Sequence, residues 1–249
     1  MIRRDVIAIG ASAGSVEALT ALVKSLPADL AASIFVVLHI PPYSPSSIPE
    51  ILTRAGPLKA SHPTDGAKVE RSRIYVGPPD HHLLVENERI LIRRDPKENR
   101  FRPSIDALFR SVAYSYRTRV IGVVLSGVLD DGTSGLWTIK RLGGAAVVQE
   151  PDDALYPDMP QSVLNELEAD EVVPVSKMGE LLARLTTTVV PDSVDVSSED
   201  LKKPALEIEI AMRDDAFRRG IMHWGEFSPF TCPECHGSLV KITEGKFSR

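Results

Sequence analysis

Cysteine is nearly absent from this chain. Cys232 and Cys235 are the only two in 249 residues, too few for a disulfide framework, and their close spacing asks for another explanation. No uninterrupted apolar run is long enough to span a bilayer, so no membrane insertion is expected. The opening Met1-Ile2-Arg3-Arg4-Asp5 lacks the apolar stretch and small-residue cleavage site of a secretory signal, and the expected location is cytoplasmic. An excess of positive charge is missing too: the net charge is −5, which gives no reason to expect nucleic acid as a partner. No internal repeat is visible. What remains is 43% apolar residues, ample for the core of a soluble domain.

Those residues fall into alternating patterns over roughly the first 185 positions. Strands are predicted at 6–9, 34–38, 73–76, 83–85, 90–92, 120–125, 145–148 and 171–173. Helices are predicted at 16–25, 46–55, 105–116, 135–142, 160–167 and 178–185. Continuous apolar strands such as Ile34-Phe35-Val36-Val37-Leu38 read as buried on both faces, hence as a parallel sheet covered by helices. Short strands between Arg73 and Ile92, broken by Pro-Pro-Asp and Glu-Asn-Glu, suggest an antiparallel hairpin at one edge. The expected fold is α/β, a doubly wound, mostly parallel sheet with helices on both faces and that edge hairpin. Residues 1–186 form the expected catalytic domain and 187–203 a polar linker. Residues 204–249 are expected to carry a helix around Leu206–Phe217 and an irregular Cys-x-x-Cys tail.

In such a sheet, functional groups gather beyond the carboxyl ends of the strands. Ser12 lies there in Gly10-Ala11-Ser12-Ala13-Gly14, a G-x-S-x-G elbow between a strand and a helix. His39 ends another strand ahead of Pro41-Pro42, and Asp130 and Asp131 follow a third. A serine nucleophile needs an imidazole to take its proton and a carboxylate to hold the imidazole, and these stretches can deliver all three. Each residue also has a plainer reading: Ser12 as a helix cap, His39 as a structural histidine, and either aspartate as turn chemistry before Gly132. A dinucleotide-binding module is the rival from another class, but the G-x-G-x-x-G spacing is absent, and His39 stands where an acidic ribose-binding residue belongs.

Several blocks then make the pattern specific. Ile9-Gly10-Ala11-Ser12-Ala13-Gly14, His39-Ile40-Pro41-Pro42, Tyr75–His82, Arg102–Phe109 and Leu125–Gly132 occur in the order found in the CheB protein-glutamate methylesterase catalytic domain, which residues 5–185 resemble. The resemblance implies hydrolysis of γ-glutamyl methyl esters on the cytoplasmic helices of a methyl-accepting chemoreceptor or related sensor. It implies Ser12 as nucleophile, His39 as general base, Asp131 rather than Asp130 as the orienting carboxylate, and the backbone N–H of Val128 as an oxyanion donor. No cofactor takes part in such a reaction. Deamidation of receptor glutamines uses the same groups. The chain departs from the family pattern at Ala13-Gly14-Ser15, where Thr-Gly-Gly is usual, and at Val128-Leu129, where Met-Gly is common. These departures keep a catalytically silent, sensor-binding scaffold open as an alternative. No stretch reads as a phosphoryl-receiver domain, so regulation is expected from a separate receiver or methyltransferase protein.

Two further candidates are open to plainer readings. His82 either lines the cleft or packs on Pro79, and Arg102 either anchors an acidic substrate helix or bridges Asp106 at helical spacing. Cys232 and Cys235 are half of a zinc knuckle. His223 and His236 do not complete it at ordinary spacing, so zinc held by this chain alone is not expected.

Overall fold

The chain opens with Ile2–Arg3 (β1) and Val6–Ala11 (β2), followed by helix Ser15–Lys24 (α1) and strand Ser33–Leu38 (β3). Next come Ile48–Ala55 (α2), Lys59–Ser61 (β4), Arg73–Val76 (β5), His82–Glu86 (β6) and Arg89–Arg93 (β7). Ile105–Tyr116 (α3), Val120–Val124 (β8), Thr133–Arg141 (α4) and Ala145–Gln149 (β9) lead to Asp158–Glu166 (α5), Glu171–Val173 (β10), Val175–Thr187 (α6) and Val189–Val190 (β11). This computed structural model describes residues 2–192, 194, 226–231, 238–241, 243–244 and 247–248.

Seven strands form one sheet in the order β10-β9-β8-β2-β3-β5-β4, every pairing parallel. Alternation along the strands divides two cores. Ile7, Ile9, Ile34 and Val36 face α1, α2 and α6, whereas Val6, Ala8, Phe35 and Val37 face α3, α4 and α5. From β2 the chain moves outward through β3, then returns to add β8 on the other flank. The carboxyl ends of β3, β2 and β8 therefore meet at the point where strand order reverses, where open α/β sheets hold their ligands. That geometry draws Ser12, His39 and the 126–131 segment together.

The hairpin of β6 and β7 is a two-stranded sheet of its own, not bonded to the edge of the large one. Helix α3 covers it. Ser111 Oγ accepts from Val85 N–H at 3.1 Å and Ser115 Oγ donates to Val85 O at 2.9 Å, so two serines satisfy the free side of β6. Strand β5, grouped with the hairpin on sequence grounds, sits inside the parallel sheet between β3 and β4.

At its carboxyl end the domain runs past residue 186. α6 continues to Thr187, and β11 pairs antiparallel with β1 (Ile2 with Val190), so residues 187–190 belong to the body and not to a linker. Glu226–Thr231 and Ser238–Lys241 pair antiparallel where irregular chain was expected. The expected helix at 206–217, Cys232, Cys235, His223 and His236 lie outside the described residues.

Candidate active site

Ser12 follows β2 directly. Its N–H donates to Ser126 O at 3.1 Å, and Gly14, at φ 70°, turns the chain into α1. A glycine serves there because left-handed backbone crowds any Cβ. Ser15, one of the departures noted above, has a use in this turn: its hydroxyl donates to Ser126 O and accepts from Ser12 N–H at 3.3 Å. The elbow is thereby tied to the segment after β8. Gly127 packs so closely that a Cβ on it would lie 2.7 Å from Ser12 Cβ and within 2.1 Å of Met159 Sδ.

His39 extends β3, its N–H donating to Ala11 O at 3.1 Å. The ring bridges the other two groups, with Nδ1 3.1 Å from Ser12 Oγ and Nε2 2.8 Å from Asp131 Oδ2. Phe101 stacks on the imidazole with ring centroids 3.5 Å apart and planes 7° apart. Asp131, not Asp130, is the carboxylate at the site; Asp130 is exposed, and its carbonyl accepts from Thr133 N–H.

Asp131 is fully buried, which alone would raise its pKa. The His39 hydrogen bond and charge, the Ile105 N–H at 2.7 Å and the Asn99 amide at 2.9 Å outweigh that and hold the carboxyl below its ordinary value. Ser104 Oγ at 3.1 Å and Asp106 N–H at 3.2 Å complete the set. Three of these donors come from the first turn of α3 or its cap, so the carboxylate sits on a helix N-terminus. An ionised Asp131 accepts a hydrogen bond, so Nε2 carries the imidazole proton and the Nδ1 lone pair faces Ser12. No backbone acceptor for the N–H of Ala13 or Val128 appears among the described residues. Ala13 directly follows Ser12, and Val128 directly follows Gly127, which packs against Ser12. Together the groups can perform general-base-assisted acyl transfer.

Asp106 mirrors this arrangement. Its Oδ1 accepts from Gly132 N–H at 3.0 Å and Gly135 N–H at 2.6 Å, capping α4, while Asn99 Nδ2 reaches its Oδ2 at 2.7 Å. Each helix of the α3–α4 pair therefore holds a carboxylate borne next to the other's N-terminus. Asn99, Phe101, Ser104 and Asp106 were missed in the sequence as site residues. The Asn99-Arg100 pair, both at positive φ between the bridged Glu98 and Phe101, is a two-residue turn that its asparagine could have signalled. Ser104 precedes a helix as a cap should. The stack of Phe101 on His39 is a loop contact with no periodic signal.

Two expected cleft residues are structural. His82 is 1% exposed, with Nε2 on Pro96 O at 3.0 Å and Nδ1 accepting from Ser104 N–H at 3.2 Å, so neither ring nitrogen is open to substrate. Burial lowers its pKa from 6.5. Arg102 is engaged within the fold: its guanidinium pairs with Asp80 Oδ1 at 2.6 Å and donates to Asp95 O at 2.7 Å. That hydrogen bond holds the Asp80 carboxyl below its usual range and clasps the loop carrying Asn99 and Phe101. No cluster of metal-ligating side chains occurs among the described residues.

The chain is similar to known proteins in sequence and in fold. The family model for CheB methylesterase matches residues 7–182. A Methanosarcina acetivorans protein named protein-glutamate methylesterase/protein-glutamine glutaminase 2 is 35% identical over 190 residues, which cover 73% of this chain and 53% of the relative. The chain thus spans about half the length of that relative. A Leptospira interrogans protein is also 35% identical, over 182 residues that cover 94% of it and 73% of this chain. The crystal structure of the Thermotoga maritima CheB methylesterase catalytic domain superposes with a TM-score of 0.70 at 30% identity, covering 100% of that domain and 74% of this chain.

Proposed function

The chain belongs to the CheB methylesterase family, and on that premise we propose that it is a serine hydrolase removing methyl groups from glutamate γ-methyl esters on the helices of a chemoreceptor or related sensor. The observation that carries the reading is the unbroken relay Ser12 Oγ–His39–Asp131 at 3.1 and 2.8 Å. In the proposed reaction, Ser12 Oγ attacks the ester carbon as its proton passes to His39 Nδ1. The oxyanion is met by the N–H groups of Val128 and Ala13. Collapse breaks the C–OCH3 bond, and methanol leaves with the proton from Nδ1. A water then gives a proton to Nδ1, its oxygen attacks the acyl carbon, and Ser12 leaves with that proton, freeing the glutamate carboxylate. Asp131 stays ionised throughout, holding the tautomer and stabilising the imidazolium.

The same steps on a γ-carboxamide release ammonia, and the M. acetivorans relative's name includes glutaminase. Methanol release from methylated receptor membranes, with Ser12→Ala as control, tests the proposal. Methanol from the wild type alone supports it. Receptor binding without methanol from the wild type favours the scaffold reading.

A further inference from the structure

Leu129 is the residue between the proposed oxyanion donor and the orienting carboxylate that nothing in the chemistry accounts for. Its backbone stands at φ 67°, the left-handed region where a branched side chain crowds its own carbonyl and where glycine or asparagine is at ease. Its side chain is 46% exposed, so burial does little to offset that strain. The conformation is imposed on both sides: Gly127 packs on Ser12, Asp131 is held by α3, and Ser162 Oγ donates to Leu129 O at 3.3 Å. Local strain kept where it serves no packing points to a contact made outside the folded chain.

Two more exposed apolar side chains complete the setting. Leu155 is 70% exposed and Tyr156 42%. Both lie over Gly14, two residues past the serine, where an added Cβ would come within 2.7 Å of Leu155 and 2.9 Å of Tyr156. Tyr156 is fixed to the 126–127 segment, accepting from Gly127 N–H at 2.9 Å and donating its N–H to Ser126 Oγ at 3.0 Å. Ser12 itself is buried, so a substrate glutamate must reach down past the side chains exposed around it: Leu155 and Tyr156 over Gly14, and Leu129 in the segment that ends at Asp131. A side chain projecting from a helix, with apolar residues one turn before and after it, fits that profile.

We propose that Leu129, Leu155 and Tyr156 form an apolar rim that docks the leucine-rich stripe of an amphipathic helix bearing the ester, and that Leu129 keeps its strained backbone for this contact. The inference rests on the hydrolase reading, and the test separates the two. The probes are a helical peptide with one γ-methyl glutamate flanked by leucines at i−4 and i+3, and N-acetyl glutamate γ-methyl ester amide. Leu129→Gly and Leu129→Asn, both suited to positive φ, should raise the unfolding midpoint. They should also lower the ratio of kcat/KM for the peptide over the small ester by about tenfold, through KM, the effect of roughly one lost apolar contact.

Val189→Thr, at an exposed apolar position on β11, is the control and should leave the ratio unchanged. In a Ser12→Ala background, direct titration with the peptide should weaken by a similar factor on replacing Leu129. This binding readout stands even if the wild type hydrolyses neither probe, an outcome that would count against the hydrolase alone. A raised midpoint with unchanged peptide binding, or an equal loss on both esters, overturns the rim.

Discussion

Asp131 gathers five donors on two oxygens, from His39, Asn99, Ser104, Ile105 and Asp106. Substitutions around it therefore separate by which donor they lose. Asp131→Asn presents an amide to Nε2 and favours the wrong tautomer; kcat should fall by about 10³–10⁴. Asp130→Asn, exposed and outside the relay, should stay near wild type, and one steady-state methanol assay compares the two. Phe101→Ala removes the ring that keeps the imidazole in plane. An aromatic pair is worth about 0.5–1.5 kcal/mol, so kcat on a small ester should drop up to about tenfold, with Phe101→Tyr restoring it. Ser12 and His39 were legible in the sequence because each directly follows a strand at the switch point, whereas Asp131, further along the segment after β8, was told from Asp130 by the family resemblance. Phe101 and Asn99 were not: their loop has no period, and their partners become neighbours only when residues 95–102 fold back under Arg102. His82 and Arg102 stayed open between two readings for the converse reason. A polar residue in a motif looks functional until its burial and backbone partners are known.

At the scale of elements, the two carboxylates at facing helix ends make α3 and α4 depend on each other. Asp106→Ala would strip the acceptor from the N–H groups of Gly132 and Gly135, costing ~2–4 kcal/mol when both are left unsatisfied. Chemical denaturation should show that loss, with activity falling further than stability because Asn99 loses one of its two anchors. Gly127→Ala tests a different constraint. The added methyl meets Met159 and Ser12, so it should cost about 1–3 kcal/mol through overpacking and suppress methanol release by displacing the serine. The long apolar strands and the helices were placed within a few residues by periodicity alone. The three-residue β4 and the two-residue β1 and β11 were invisible, being too short to show a period. The hairpin was recognised from its turns, but its separation from the large sheet depends on Ser111 and Ser115, whose reach across to β6 no local pattern announces.

For the whole molecule, His82 links stability to pH. Burial lowers its pKa below 6.5, so under mild acid the unfolded chain takes up a proton that the folded chain refuses. The stability present above pH 6.5 is therefore lost as pH falls toward the folded value. Protonation would also put a hydrogen on Nδ1 against the Ser104 N–H that it now accepts. The unfolding midpoint should decline between pH 7 and 5, and His82→Gln should flatten that slope; equal slopes would show that His82 carries no such linkage. The tie between α3 and Asp131 also sets which substitutions the segment can absorb. Because the carboxylate is moored to a helix end, residues 128–130 bridge two fixed points, and their side chains are exempt from keeping the relay aligned. Change is thereby partitioned: a substitution in the helix pair shifts the carboxylate itself, whereas one along the mouth leaves the mooring of Asp131 in place.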